Sequence, residues 1–539
     1  MIRKLLVGAI LLGRGHAYIS SASLGPVPLG APDKEQVVPH PPKSFTVHKH
    51  PLKVSLDEED SILRYFQKTR TATTGLTIDE DTTHHIEASG LRMDLVAEIY
   101  TDSPAYLHLL PGDGAGSTAA SVKGVHLHGP RPPSKQPQPR LWITGFSLGS
   151  HQGTLKSMDP ASGHVTRVPT PLLWPNEVTS VPCHLVPPTP SCLITPEQLE
   201  IATALQEELD CEGGGPYRDA LLVADGFLVP GKDQGGIYMV QKPGLPGERT
   251  VCLTRSSQDW FYHRAVWVDL TGDGRQSILT ARARVSHGRT YGELVWLECP
   301  APYDSNEEGE YVNADGSPFD PFAKPWKTRV LHRGPDVLFS LVDLDETDDT
   351  IEVLASEFFG ERVTLLSIER GEEPRVVRHR VIDDECGKAF GSLILHHEDD
   401  GDNKRLLVTT HEAGAGGSLF SYQIPPNWRT DPWIRTKVAS GFPVAEQLGN
   451  LIHPGAPGFV YSFALGGQDY LAVAGDCAET VSIYHSRCGS YERVVELQCG
   501  ATVGSLAIGE DEFCGSAGLT LYIPSFEKNK IVVFSMNKL

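Results

Sequence analysis

One arrangement recurs along this chain and limits what it can become: a short apolar strand, a polar or glycine-rich corner, and a second apolar strand. It is read at "LRMDLVAEIY" (91–100), "LWITGFSLGS" (141–150), "ALLVADGFLVPG" (220–231), "AVWVDLTGDGRQSILTARA" (265–283) and "LFSLVDLDETDDTIEVLASE" (338–357). Three more units follow at 392–412, 459–476 and 503–513, and successive units begin 44 to 79 residues apart. Several are followed by a glycine and a further strand, as in "GGIYMVQKP", "GELVWLECP" and "GSLFSYQIP". Four strands at this pitch make one propeller blade, and a blade buries its two faces only against neighbouring blades. The expected fold is therefore all-β, a six- or seven-bladed β-propeller with one inserted helix. The competing arrangement is a large β-sandwich or two stacked β-domains. In the propeller, "KIVVFSMNKL" is expected to pair with "LRMDLVAEIY", closing the ring and removing an exposed sheet edge.

The propeller is assigned to 76–539, with the helical insertion at about 195–211. There Thr195 caps, Pro196 takes the first helical position, Gln198 completes a capping box, and Leu199, Ala202, Leu205 and Leu209 form the apolar face. Residues 1–22 read as a signal peptide: Arg3 and Lys4, an apolar run from Leu5 to Gly13, then small residues including Ala17 and Ala22. Residues 23–75 read as a linker or disordered segment with one short helix at 55–70. The expected location is outside the cell or in the secretory-pathway lumen. No later run reaches the roughly 18–20 apolar residues that span a bilayer. Ten cysteines, none spaced C-x-x-C, suit disulfides in that compartment, with Cys192–Cys211 a candidate pair around the helix. No N-x-S/T glycosylation acceptor occurs.

With 47 Lys and Arg against 68 Asp and Glu, the formal charge is −21. That excludes non-specific nucleic-acid binding, which needs clustered cations to neutralise phosphates. It suits cation binding, and "DLTGDGRQS" has the look of a calcium loop. Asp269 stands at the first position, Thr271 at the third, Asp273 at the fifth, and Gly274 allows the sharp turn. Thr280 occupies the twelfth position, where a helix-flanked loop carries a bidentate Glu. The flanks "AVWV" and "SILTA" are strands, so this is a strand–loop–strand corner.

"VDLTGDGRQSIL" and "VDLDETDDTIEVL" together resemble the FG-GAP or VCBS-type repeat family, whose blades carry a "D-x-D-x-D-G-x-x-D" corner followed by an apolar residue. The first keeps the leading Asp and the Asp-Gly; the second keeps Asp343 and Asp345 but lacks the Gly. The resemblance covers roughly 200–539 and implies a propeller with structural calcium in its corners, held by Asp269, Thr271, Asp273, Asp343 and Asp345. Some members are carbohydrate-active lyases. Their additional metal-binding modules have no counterpart in this chain.

Three histidines are weak catalytic candidates. His126 and His128 in "GVHLHGP" share one face of an extended strand, a spacing that lets two imidazoles meet one metal, and His263 in "HRAVWVD" sits just before the corner at 269. No G-x-S-x-G, H-E-x-x-H or phosphate loop stands in a supporting context. Two functions fit: a monomeric secreted propeller that binds a small-molecule, glycan or protein ligand at its axial face, or a propeller enzyme, a lyase or isomerase acting on a sugar or secondary metabolite in the central channel. Fold alone does not decide between them.

Overall fold

In the computed structural model, residues 76–77, 85–88 and 90–539 are described. Left out are 111–138, 147–151, 183–184, 186–216, 218, 229–231, 255–258, 288, 306–310, 346–347, 397–403, 412–416, 446–454, 488 and 511–517. The signal, the linker, both expected helices, His126, His128, Cys192 and Cys211 fall outside the described residues. Within them the chain is all strand, and no helix is long and apolar enough to cross a membrane.

Seven sheets, antiparallel apart from the short parallel edge strand Leu76–Thr77 on one of them, follow one another around an axis. Their inner strands are Tyr106–Leu110, Pro175–Ser180, Phe261–Val268, Leu338–Val342, Lys388–His396, Phe459–Leu465 and Ala507–Glu510, which define blades 1 to 7. Each sheet runs outward by successive hairpins; blade 4, for example, is Leu338–Val342, Thr350–Glu357, Arg362–Glu369 and Arg375–Asp383 in spatial order. The middle strands are buried on both faces because each blade is sandwiched between two others. Between blades 3 and 4, Leu279, Ala281, Leu294 and Trp296 pack on Phe339, Val353, Ala355 and Leu366. An apolar side chain fully buried this way contributes about 1.5–3 kcal/mol.

Blade 7 is a composite. Lys530–Lys538 pairs antiparallel with Leu91–Tyr100, from Leu91 opposite Lys538 to Tyr100 opposite Lys530, and His85–Ala88 adds a fifth strand outside. The inner strand of blade 7 then lies beside that of blade 1. The pairing is the one expected from the sequence, but it shows that 91–100 is the outer part of the last blade rather than a unit of its own. The unit read at 503–513 likewise straddles two blades, since Val503 ends the last strand of blade 6.

The expected disulfide framework is not found among the described residues. Cys252, Cys299, Cys386, Cys477 and Cys499 are free thiols. They lie on different strands and turns, and four of them donate to nearby carbonyls, as Cys252 does to Thr254 at 3.2 Å and Cys386 to Gly387 at 3.4 Å. Burial pushes the thiols of Cys299, Cys386 and Cys499 up to about 12, which keeps them protonated and unreactive.

Candidate functional site at the aromatic mouth of the channel

Because the hairpins alternate in direction, inner strands start, and second strands end, on the same face of the disc. The corners between first and second strands lie on the opposite face. The first face carries aromatic side chains from every blade: Tyr106 and Phe146 from blade 1, Trp174 and Phe227 at the ends of blade 2 strands, Phe261 and His263 from blade 3. Phe358 and Phe359 belong to blade 4, Phe390 and His411 to blade 5, Phe459 to blade 6, and Phe526 to blade 7.

Their rings form a closed circuit. Tyr106 meets Phe146 at 6.2 Å, Phe146 stacks on Trp174 at 3.7 Å, and Trp174 stacks on Phe227 at 4.5 Å. Phe227 meets His263 at 5.9 Å, His263 meets Phe390 at 6.5 Å, Phe390 meets Phe459 at 5.4 Å, and Phe459 returns to Tyr106 at 6.3 Å. Phe526 packs on Phe146 at 5.0 Å and His411 stacks on Phe390 at 4.7 Å. Trp174 and Phe390 are buried; Phe146, Phe227, Phe358, Phe459 and Phe526 are half-buried and give the face an aromatic surface.

Buried carboxylates hold the turns that carry these rings. Asp225 accepts from the backbone N–H of Leu173 at 3.1 Å and of Trp174 at 2.7 Å. Asp336, just before the inner strand of blade 4, accepts from Phe358 at 2.8 Å and Phe359 at 2.7 Å. Burial pushes Asp225 up to about 6 and Asp336 to about 7, against the opposing pull of these hydrogen bonds. Phe227 follows Gly226, whose φ is +106° and where a Cβ would stand 2.7 Å from the Cα of Gly235. Only glycine lets the chain turn there.

His411, in ring contact with Phe358 and Phe390, also faces a carboxylate on this side of the disc. Asp476, at the turn after the second strand of blade 6, sets Oδ2 3.6 Å from His411 Nδ1. Burial pushes the Asp476 carboxyl up to about 7 and the His411 imidazole down to about 3. At neutral pH the imidazole is therefore neutral while the carboxyl is close to its midpoint. His411 Nε2 is buried without a hydrogen-bond partner among the described residues. Tyr106 is close enough for Asp476 to raise its hydroxyl's pKa, after the larger effect of burial.

Further along, the inner strands contribute polar groups. Arg264 Nε grips both carboxylate oxygens of Glu177, at 2.9 and 3.1 Å, and its Nη1 donates to the Phe339 carbonyl at 2.7 Å, tying blades 2, 3 and 4 together. His108 Nε2 lies 3.1 Å from the Asn176 carbonyl, and burial lowers its pKa to about 4. Ser340 and Ser392 hydroxyls meet at 2.8 Å, while Tyr461 accepts from the Leu506 N–H at 3.1 Å.

Of the residues singled out in the sequence, His263 stands on this face, third in the inner strand of blade 3 and inside the aromatic circuit, with its pKa lowered by burial to about 4. The five corner residues lie on the opposite face. Asp269 is indeed between two strands of one blade, Phe261–Val268 and Ser277–Ser286. Its carboxylate accepts from the N–H of Thr271, Gly272 and Gly274 at 3.1, 2.7 and 2.8 Å. The Thr271 hydroxyl donates to Asp273 at 2.6 Å, and Asp273 also pairs with Arg275 at 2.7 Å. At the next corner Asp343 accepts from the Asp345 N–H at 3.1 Å, and Arg429 from blade 5 pairs with Asp345 at 2.8 Å and Asp348 at 2.6 Å.

A calcium site takes six to eight oxygens. The oxygens already face N–H groups and guanidinium cations, and no cluster of three or more metal-ligating side chains occurs among the described residues. Sequence reading missed Asp476, His411, Glu177 and Arg264. The one local signal was the recurrence of Asp beside Gly after a second strand, in "VADGF" and "VAGDC".

No family model matches the chain, and no curated protein matches it. Among solved structures it is similar to the WD40 domain of Toxoplasma gondii coronin, with 11% identity, TM-score 0.38, and coverage of 85% of this chain and 89% of that one. An oligogalacturonate lyase in complex with manganese gives 11% identity, TM-score 0.38, and coverage of 90% and 99%. A periplasmic gluconolactonase of Pseudomonas aeruginosa gives 12%, 0.35, and 67% and 83%. The architecture itself, seven blades around one axis, is carried by the strand pairing.

Proposed function

We propose that this protein binds a small ring-bearing molecule, a sugar or a flat organic compound, at the aromatic mouth of its axial channel. The observation that carries this reading is the closed circuit of rings drawn from separate blades, with polar groups behind it. Concave apolar surfaces with a few convergent polar groups are the usual form of a small-molecule site. Half-buried phenylalanines offer flat faces, and Glu177, Arg264 and Tyr461 offer directional contacts deeper in. Titration with neutral hexoses, uronic acids and aromatic acids, followed by tryptophan fluorescence, tests this. Trp174 sits between Phe146 and Phe227, so a bound ring alters its emission, and Phe227→Ala weakens that ligand by about 10-fold or more. A ligand whose binding is indifferent to Phe227 and Trp174 overturns the reading.

Asp476 and His411 favour a second reading, in which the bound ring also undergoes proton transfer, as in a lyase or isomerase. A carboxyl poised near neutral pH suits general acid–base work, worth about 10²–10⁴ in rate. Asp476→Asn then abolishes turnover of a bound compound while leaving its binding in place. Equal turnover by parent and variant removes Asp476 from the chemistry.

A further inference from the structure

The outer strands of blades 3, 4 and 5 differ from the rest of this acidic molecule. Lys327–Arg333, Arg375–Asp383 and Ile434–Phe442 together carry eight Lys and Arg and a single carboxylate, Asp383, in a chain of net charge −21. The same strands carry four of the nine exposed large apolar side chains among the described residues: Val330 at 48% exposure, Val377 at 48%, Val381 at 42% and Ile434 at 64%. His332 and His379 rings meet at 4.7 Å and join the edges of blades 3 and 4 into one surface.

Part of this charge serves the fold. Arg380 donates to the carbonyls of Trp428 and Asp431, Arg435 pairs with Asp383 at 2.8 Å, and Arg329 pairs with Glu298 at 3.0 Å. The remainder is available. Arg333 and Arg378 have no carboxylate partner among the described residues, and Arg375 is held only by the exposed pair with Glu369 at 2.7 Å, a contact of the kind that contributes little. Among the described residues the outer backbone edge of Arg375–Asp383 has no strand partner, since that strand pairs only with Arg362–Glu369.

We propose that this edge binds an extended acidic segment of another protein, which adds as a fifth strand to blade 4. Strand addition satisfies the free N–H and C=O groups of the edge, while side chains on alternate positions give specificity. The mixture decides the partner's chemistry. Cations at 333, 375 and 378 call for carboxylates, and the β-branched side chains at 377 and 381 call for apolar residues between them. A polysaccharide or nucleic acid would use the cations and gain nothing from the valines. Charged edge strands also discourage self-pairing; that role needs charge of either sign, whereas capture of an acidic strand needs positive charge.

The test is fluorescence anisotropy of the whole protein with a labelled nine-residue peptide of alternating glutamate and valine. Binding is expected, weakening with salt and falling about 10-fold or more in the double variant Arg375→Glu/Arg378→Glu. Those side chains are exposed, and the variant keeps a charged edge; should it misfold, the parent protein decides the matter alone. A peptide N-methylated at alternate residues is expected to lose binding, because it cannot complete the strand ladder, and nonaglutamate is expected to bind more weakly. Equal binding of the N-methylated peptide or nonaglutamate overturns strand addition. No binding of the peptide, or preference for heparin or phosphatidylserine vesicles over it, overturns the proposal. Phe227→Ala leaves peptide binding unchanged, which separates this edge from the channel mouth.

Discussion

The two faces of the disc hold their turns in opposite ways. On the aromatic face, the buried Asp225 and Asp336 accept from backbone N–H groups, and the half-buried Asp476 meets a histidine but no Lys or Arg among the described residues. On the corner face, carboxylates stay close to water and meet cations: Asp273 with Arg275, Asp345 and Asp348 with Arg429. The first arrangement raises the pKa of its acids; the second sets carboxylate against guanidinium. The same residue type is thus held mainly by backbone N–H groups and burial on one face and by ion pairs on the other, and environment makes the difference.

Three experiments strain this contrast. The largest effect belongs to Trp174→Ala, which opens a hole between Phe146 and Phe227 and is expected to cost about 3–5 kcal/mol, read by denaturant unfolding. If Asp269→Ala, on the exposed corner, cost as much, the faces would not differ in the way described.

Next is Asp476→Asn, measured against pH. The folded-state pKa of this carboxyl is raised from 3.8 to about 7, so the native state retains a proton that the unfolded chain releases. Stability is therefore lost as pH rises from about 4 to about 7, and below that window the two states do not differ. The variant should exceed the parent at pH 8 by about 2–4 kcal/mol and match it near pH 4. His411 titrates in the opposite sense, costing stability below its usual range, so the difference between variant and parent isolates the carboxyl. A constant difference at all pH values would place Asp476 among the satisfied acids of the other face.

The smallest effect is expected from calcium and a chelator, neither of which should shift the melting temperature, because guanidinium groups already neutralise the corners. Arg429→Gln, which frees Asp345 and Asp348, should cost about 1 kcal/mol. A chelator-sensitive parent would return the corners to metal binding.

The sequence conveyed the architecture well because blade strands are local: "AVWV" and "SILTA" show their alternation within a few residues, and the corner between them is bounded by Asp and Gly. It conveyed the seam too, since "KIVVFSM" and "LRMDLVAEIY" are strongly apolar strands at opposite ends of the series. The site was less legible. Asp476 and His411 are 65 positions apart, and the rings on this face come from separate blades, so few stretches of sequence hold two neighbours, Phe261 with His263 and Phe358 with Phe359 among them. The corner acids are ambiguous for a related reason. Loop spacing alone cannot tell an ion from Arg429, which arrives from the next blade.

The joint between Leu91–Tyr100 and Lys530–Lys538 gives the disc a seam with no peptide bond across it. Six blades can assemble while the polypeptide is still being made, but the seventh waits for a strand more than four hundred positions downstream of its partner. Until then only the edge of Leu91–Tyr100 that faces His85–Ala88 has a local partner, and the other edge stays open to whatever strand it meets first. A circularly permuted chain, joined across this seam and opened between two other blades, would gather blade 7 from neighbouring sequence and move that waiting period elsewhere on the ring.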